Sequence, residues 1–326
     1  MEASKRIEEA LLSLAWSLWT ELGVAGVDRH HQDCAVDPEA LLLFTAALAD
    51  RDRRLRNEAL DGSLVIAPYL FVSRLKALLA VATPAVQAGF EPLAATFNAM
   101  SKTYVRFPKR GSANPWKLAL SHKSERGTFD KPSQILLRCR SIFGVAARAD
   151  IMAVMVCAPR LGWTASELAE RAGLAKRVIA DALQDFERGG ILTSTAIANR
   201  LRYDLVAREP LAKMVGAAPK RMPPWSSVLA FMTGALWLVE HAGGRNETSL
   251  LVDAQKLVGD FQAEQARLGC VWSAPAFDSW PELCNWLADG VEFVATARSP
   301  WLGEPMVVTT SRLGRRHRRD GTLKRN

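Results

Sequence analysis

Lys176 and Arg177 stand side by side at the head of a stretch in which Val178, Ile179, Ala182, Leu183 and Phe186 recur every three or four residues. That spacing predicts a helix from about Ala175 to Arg188 with one apolar stripe, and it turns Lys176, Arg177, Ala180, Asp181, Gln184 and Arg188 outward. A cation in the first turn of a helix opposes the macrodipole at a cost of about 0.3–1 kcal/mol. Two of them there suit a partner that brings negative charge, such as a phosphate oxygen or the N7 and O6 acceptors of guanine. Gln184, two turns on, carries an amide able to bond a base edge. A second group lies downstream, where polar and apolar residues alternate from Arg200 to Val206. Leu201, Tyr203 and Leu205 read as inward there, and Arg200, Arg202 and Asp204 as outward. Arg200 and Arg202, with Asn199 in the turn before them, could clamp a phosphate backbone.

The flanking residues say what positions these groups. Thr164 and Glu167 have capping-box spacing: the hydroxyl accepts from the Glu167 amide and the carboxylate from the Thr164 amide. Leu168 and Ala169 form the inward face of the helix so started. Gly173 suits a turn that needs positive φ, and Leu174 plugs the space before the next helix. Gly189-Gly190 ends that helix, and Ile191–Ala196 with Arg200–Val206 read as a hairpin around Ile197-Ala198-Asn199. A preceding helix, roughly Ala146 to Cys157, adds Ile151, Val154 and Met155 to the same small core.

This order of helix, turn, helix and hairpin resembles the winged helix-turn-helix of MarR-, ArsR- and GntR-like regulators. The resemblance covers Gly144 to Val206, about a fifth of the chain. It implies a recognition helix laid in the major groove of double-stranded DNA and a wing on the flanking backbone. Sequence-specific DNA binding by a homodimeric transcriptional regulator is the expectation. Asp181, Asp185 and Glu187 dilute the basic face, and Ala175 is a weak N-cap. Winged helices also dock proteins, so the alternative is an antitoxin or scaffold of a defence or toxin–antitoxin operon, holding a protein through its N- or C-terminal lobe.

Charge follows the same map. The chain carries +8 over 326 residues, yet residues 1–100 and 216–310 each carry −4, residues 101–137 carry +6, 138–215 carry +4 and 311–326 carry +6. A polyanion is drawn to the middle and the end. In the tail, Arg315, Arg316, Arg318 and Arg319 are auxiliary phosphate contacts in a segment without apolar periodicity, read as disordered alone. Residues 101–137 form a connector broken by Pro108, Gly111, Pro115, Gly127 and Pro132. Its Tyr104, Phe107, Trp116 and Phe129 could stack on unpaired bases, but pinning the connector to neighbouring lobes is the favoured reading.

The fold class is mainly α: an acidic helical lobe (1–100), the connector (101–137), the winged helix-turn-helix (138–215), a helical lobe (216–310) holding six of the ten tryptophans, between Trp225 and Trp301, and the basic tail (311–326). In the first lobe helices are expected over residues 4–24, from Asp37-Pro38-Glu39 through Ala49, over Arg51–Ala59, over Val72–Val81 with Arg74 and Lys76 outward, and over Pro84–Met100. In the last they are expected over Trp225–His241, Glu247–Leu268 and Trp280–Leu287.

Other classes find little support. The longest apolar run, Val228 to Val239, is too short to span a membrane, and the acidic N-terminus lacks a signal-peptide layout, so no membrane partner and a cytoplasmic location are expected. Five scattered cysteines suggest neither a disulfide frame nor structural zinc. No phosphate-binding loop, dinucleotide fingerprint, HExxH or nucleophile elbow occurs. His30, His31, Asp33 and Cys34 cluster but read as a polar loop, with Asp33 or Asp37 capping the next helix. The chain is therefore read as non-enzymatic, without cofactor or metal.

Overall fold

The structure, a computed structural model, describes residues 2–26, 29–109, 111–118, 120–124, 127–158, 160–270 and 273–303. It is mainly helical, with thirteen α-helices and one two-stranded antiparallel sheet among the described residues. None of these helices is long and apolar enough to cross a membrane.

Five helices open the chain: α1 (Glu2–Glu21), α2 (Pro38–Leu48), α3 (Arg53–Ile66), α4 (Val72–Val81) and α5 (Pro84–Met100). Their starts follow local chemistry. Asp37 caps α2 by accepting from the Ala40 amide at 3.1 Å, with Pro38 in the first turn. Asp52 caps α3 through the amides of Arg54 and Leu55 (2.8 and 3.0 Å). Near the other end come α11 (Trp225–Glu240), α12 (Glu247–Arg267) and α13 (Trp280–Ala295).

These two sets share one core. α1 lies along α13 and α2 along α11. Leu11, Leu14, Leu18 and Trp19 belong to the same buried cluster as Met232, Leu287, Val291 and Val294. At the surface of that contact Arg6 pairs with Asp289 (2.6 Å) and Glu292 (2.8 Å). The segments read above as two terminal lobes thus build a single body. Each helix has an apolar stripe that its own segment cannot cover, and periodicity does not name the partner that covers it.

The connector is irregular and pinned by its aromatics. Phe107 is buried and stacks on Phe97 (centroids 3.7 Å apart), Phe129 meets Tyr69 edge-on, and Trp116 carries the Arg56 guanidinium over its ring. Of the four aromatics there, Tyr104 alone is exposed, at 86%.

A second core belongs to the middle of the chain. It joins α6 (Ile135–Phe143), α7 (Ala147–Cys157), α8 (Ala165–Ala172), α9 (Lys176–Arg188), β1 (Leu192–Ile197), β2 (Arg200–Leu205) and α10 (Arg208–Val215). Ile151, Met155, Leu168, Ile179, Leu183, Phe186 and Tyr203 fill it. α6 and α10 lack sequence signals strong enough to be anticipated.

Arg74, Val178 and Leu201 depart from their expected faces, as does Arg202, described below. Arg74 is buried instead of outward, because Asp37 and Glu39 meet it inside. Val178 and Leu201 are 46% and 50% exposed instead of inward. Val178 lies in the first turn of α9, and Leu201 near the hairpin tip, past the reach of the core.

Candidate functional site

The capping box forms as its spacing requires. The Thr164 amide and hydroxyl donate to the Glu167 carboxylate (2.8 Å each), and the Glu167 amide donates back to the Thr164 hydroxyl (3.3 Å). Burial opposes the charge on Glu167, but the Arg160 guanidinium and the Thr164 donors outweigh it and hold the carboxyl below its ordinary range. α8 ends at Gly173 with φ +64°, the left-handed turn that glycine takes without a Cβ penalty. A Cβ there would also lie 3.3 Å from the Arg74 guanidinium, which would have to give by a few tenths of an ångström.

α9 then projects from this unit. Its main contacts are α7, α8 and β1. Ile179, Ala182, Leu183 and Phe186 are buried, while Lys176, Arg177 and Gln184 are exposed. Neither cation has a hydrogen bond or ion pair among the described residues. Arg177 and Gln184, seven residues apart, share one face. The acidic residues differ in their commitments. Asp185 pairs with Arg148 (2.6 Å) and Arg188 (3.5 Å), and Glu187 accepts from the Ser194 hydroxyl, whereas Asp181 stays exposed.

The hairpin is tighter than its sequence suggests. Ile197 pairs with Arg200, which leaves only Ala198 and Asn199 in the turn. Both have positive φ (+47° and +61°), the type I′ geometry whose twist matches that of the strands. Leu192 and Tyr203 anchor its base in the core, and residues 195–201 extend past it, each of them exposed. Asn199 and Arg200 therefore sit at the tip. Arg202 is half-buried and donates to the Gly162 carbonyl (2.9 Å), bracing the hairpin against the loop before α8. That loop adds an isolated antiparallel bridge: Trp163 and Tyr203 exchange both backbone hydrogen bonds (3.1 and 2.8 Å). The sequence gives no sign of this bridge, since one paired residue has no alternation to read. Arg315, Arg316, Arg318 and Arg319 lie outside the described residues.

A buried ionic lattice fixes the unit to the body. Arg140 of α6 is fully enclosed and clamps Asp150 of α7 (2.9 and 3.0 Å) and Glu39 of α2 (2.7 and 2.9 Å). Arg74 of α4 grips Asp37 and Glu39 and donates to the Ala172 carbonyl at the end of α8 (2.8 Å). Burial works against both guanidiniums, yet the carboxylates keep each more strongly protonated than a free arginine. Asp37 likewise stays below its ordinary range, because Arg74 outweighs the cost of burial. The lattice sets the orientation from which α9 projects, and sequence reasoning missed it because charged residues default to the surface.

The His30–Cys34 cluster is divided among structural tasks. His31 is buried with Nδ1 on the Ser17 hydroxyl (2.8 Å) and Nε2 on the Val294 carbonyl (2.9 Å), and burial lowers its pKa to about 4. Asp33 pairs with Lys220, and burial pushes the Cys34 thiol up to about 12. Comparison with known proteins gives no match to a family model, a curated protein or a solved structure.

Proposed function

We propose that α7, α8, α9 and the β1–β2 hairpin form a winged helix-turn-helix that binds duplex DNA and regulates transcription. The observation that carries the reading is the state of α9: Lys176 and Arg177 are exposed, and unpaired among the described residues, at the end where the helix dipole disfavours them. In the major groove that end meets phosphates or guanine acceptors. Gln184 lies on the same face as Arg177, within reach of base edges. Arg148 and Arg188 neutralise Asp185, so less acid opposes the contact than composition implies. Asn199 and Arg200 at the hairpin tip then reach the flanking backbone, with Arg202 holding the wing's base. Two copies of the chain would read two half-sites.

One feature favours a second reading. Val178, Ile197 and Leu201 are exposed apolar residues on α9 and the hairpin, as a protein-docking face of antitoxin or scaffold type would have. The test is affinity selection of sheared duplex DNA on the full chain, followed by sequencing. DNA readout by α9 requires retained fragments to converge on a shared motif, and retention without enrichment of any sequence would refute specific recognition.

A further inference from the structure

A cavity of about 680 Å³ opens in the body, between the C-terminal end of α2, the first turns of α5 and the second half of α11. Small residues are prominent in its lining. Gly89 lets α5 approach α2 so closely that a Cβ would sit 2.5 Å from the Ala46 carbonyl oxygen. Two indoles, Trp116 and Trp237, form walls. Arg56 lies over one face of Trp116 and His241 stacks on one face of Trp237 (centroids 4.6 Å apart), which is nonetheless 49% exposed. The mouth is acidic. Arg51 is shared between Glu240 (2.8 Å) and Glu8 (3.1 Å), and exposed Asp50 has no ion-pair partner among the described residues. Two carboxylates of the lining, Asp50 and Glu240, thus face one lining guanidinium, Arg51.

Size, wall and charge together select a ligand class. The volume lies within the roughly 300–1,000 Å³ of clefts that enclose small organic molecules. Apolar walls strip water from a ligand and reject a hydrated metal ion. Indole faces and unbalanced carboxylates attract positive charge and repel negative charge. We propose that this cavity binds an amphiphilic organic cation, its apolar body against Trp116 and Trp237 and its charge toward Asp50 and Glu240. No residue of α7 through β2 lines it, so the assignment stands apart from the DNA reading.

The experiment is calorimetric titration of the full chain with tetraphenylphosphonium, and with tetraphenylborate as an anion of the same shape. The cation should bind saturably at one site per chain, and the anion at least about tenfold more weakly. Trp237→Ala should weaken cation binding about tenfold, and Asp50→Asn, at an exposed position, should weaken it several-fold with the far-UV spectrum unchanged. Absent saturable cation binding, equal affinity for the two ions, or an affinity that both variants leave unchanged would each overturn the proposal.

Discussion

Replacing Arg140 by Met removes the centre of the lattice that joins the α6–α10 unit to the body. Four of its hydrogen bonds go to carboxylates, two on Asp150 and two on Glu39, and a fifth reaches the Tyr69 carbonyl (3.1 Å). Glu39 keeps Arg74 (3.1 Å) and the Phe71 amide (2.8 Å) after the change. Asp150 then has no hydrogen bond or ion pair among the described residues and is 2% exposed, with only the longer-range charge of Arg74 acting on it. Stranding one buried charge costs about 3–5 kcal/mol, a large part of the 5–15 kcal/mol that typically separates folded from unfolded protein. Arg140→Met should therefore lower the urea midpoint sharply at neutral pH, with the slope unchanged. Adding Asp150→Leu removes the stranded charge and should restore at least about 2 kcal/mol. Tryptophan fluorescence and far-UV dichroism followed together give both free energies. A loss below about 1 kcal/mol for Arg140→Met, or a double variant no more stable than the single one, would refute the claim that charge burial governs this contact.

Two further outcomes follow from single sites. His31 has a folded pKa near 4 against an ordinary 6.5, because burial disfavours its cation. The unfolded chain takes up that proton first, so the stability is present above about pH 6.5 and is lost as pH falls toward 4, by at most about 3 kcal/mol. His31→Gln should lose less stability than wild type across that window in urea titrations, and parallel losses would contradict the assignment. Ala198 holds a left-handed φ of +47° at the hairpin tip, a conformation costing a residue with a Cβ roughly 1–2 kcal/mol. Ala198→Gly should stabilise the protein by about 0.5 kcal/mol once the added chain entropy of glycine is counted, and a lowered melting temperature would contradict this.

Local signals carried most of the central unit. The Thr164–Glu167 cap, Gly173, the stripe of Ile179, Ala182, Leu183 and Phe186, and the paired strands each depend on residues a few positions apart, and they form where their spacing places them. What depends on distant partners was hidden. Arg74 carries a charge on a helix and so reads as outward until Asp37 and Glu39 are brought beside it. Trp163 reads as a loop residue until it bridges Tyr203. The shared core of α1 and α13 joins residues nearly three hundred positions apart, which no window of periodicity spans. The candidate site was legible as residue types on α9 and the hairpin, but Arg202 was assigned outward by alternation and is instead tied to Gly162.

DNA binding by α9 and the hairpin tip requires that both touch phosphates. The direct measurement is fluorescence anisotropy of a labelled duplex with the full chain across a series of salt concentrations, for wild type, Arg177→Ala and Arg200→Ala. Each variant should bind more weakly, and each should reduce the slope of log affinity against log salt by about one unit, the signature of one lost phosphate contact. Affinities and slopes unchanged in both variants would contradict it.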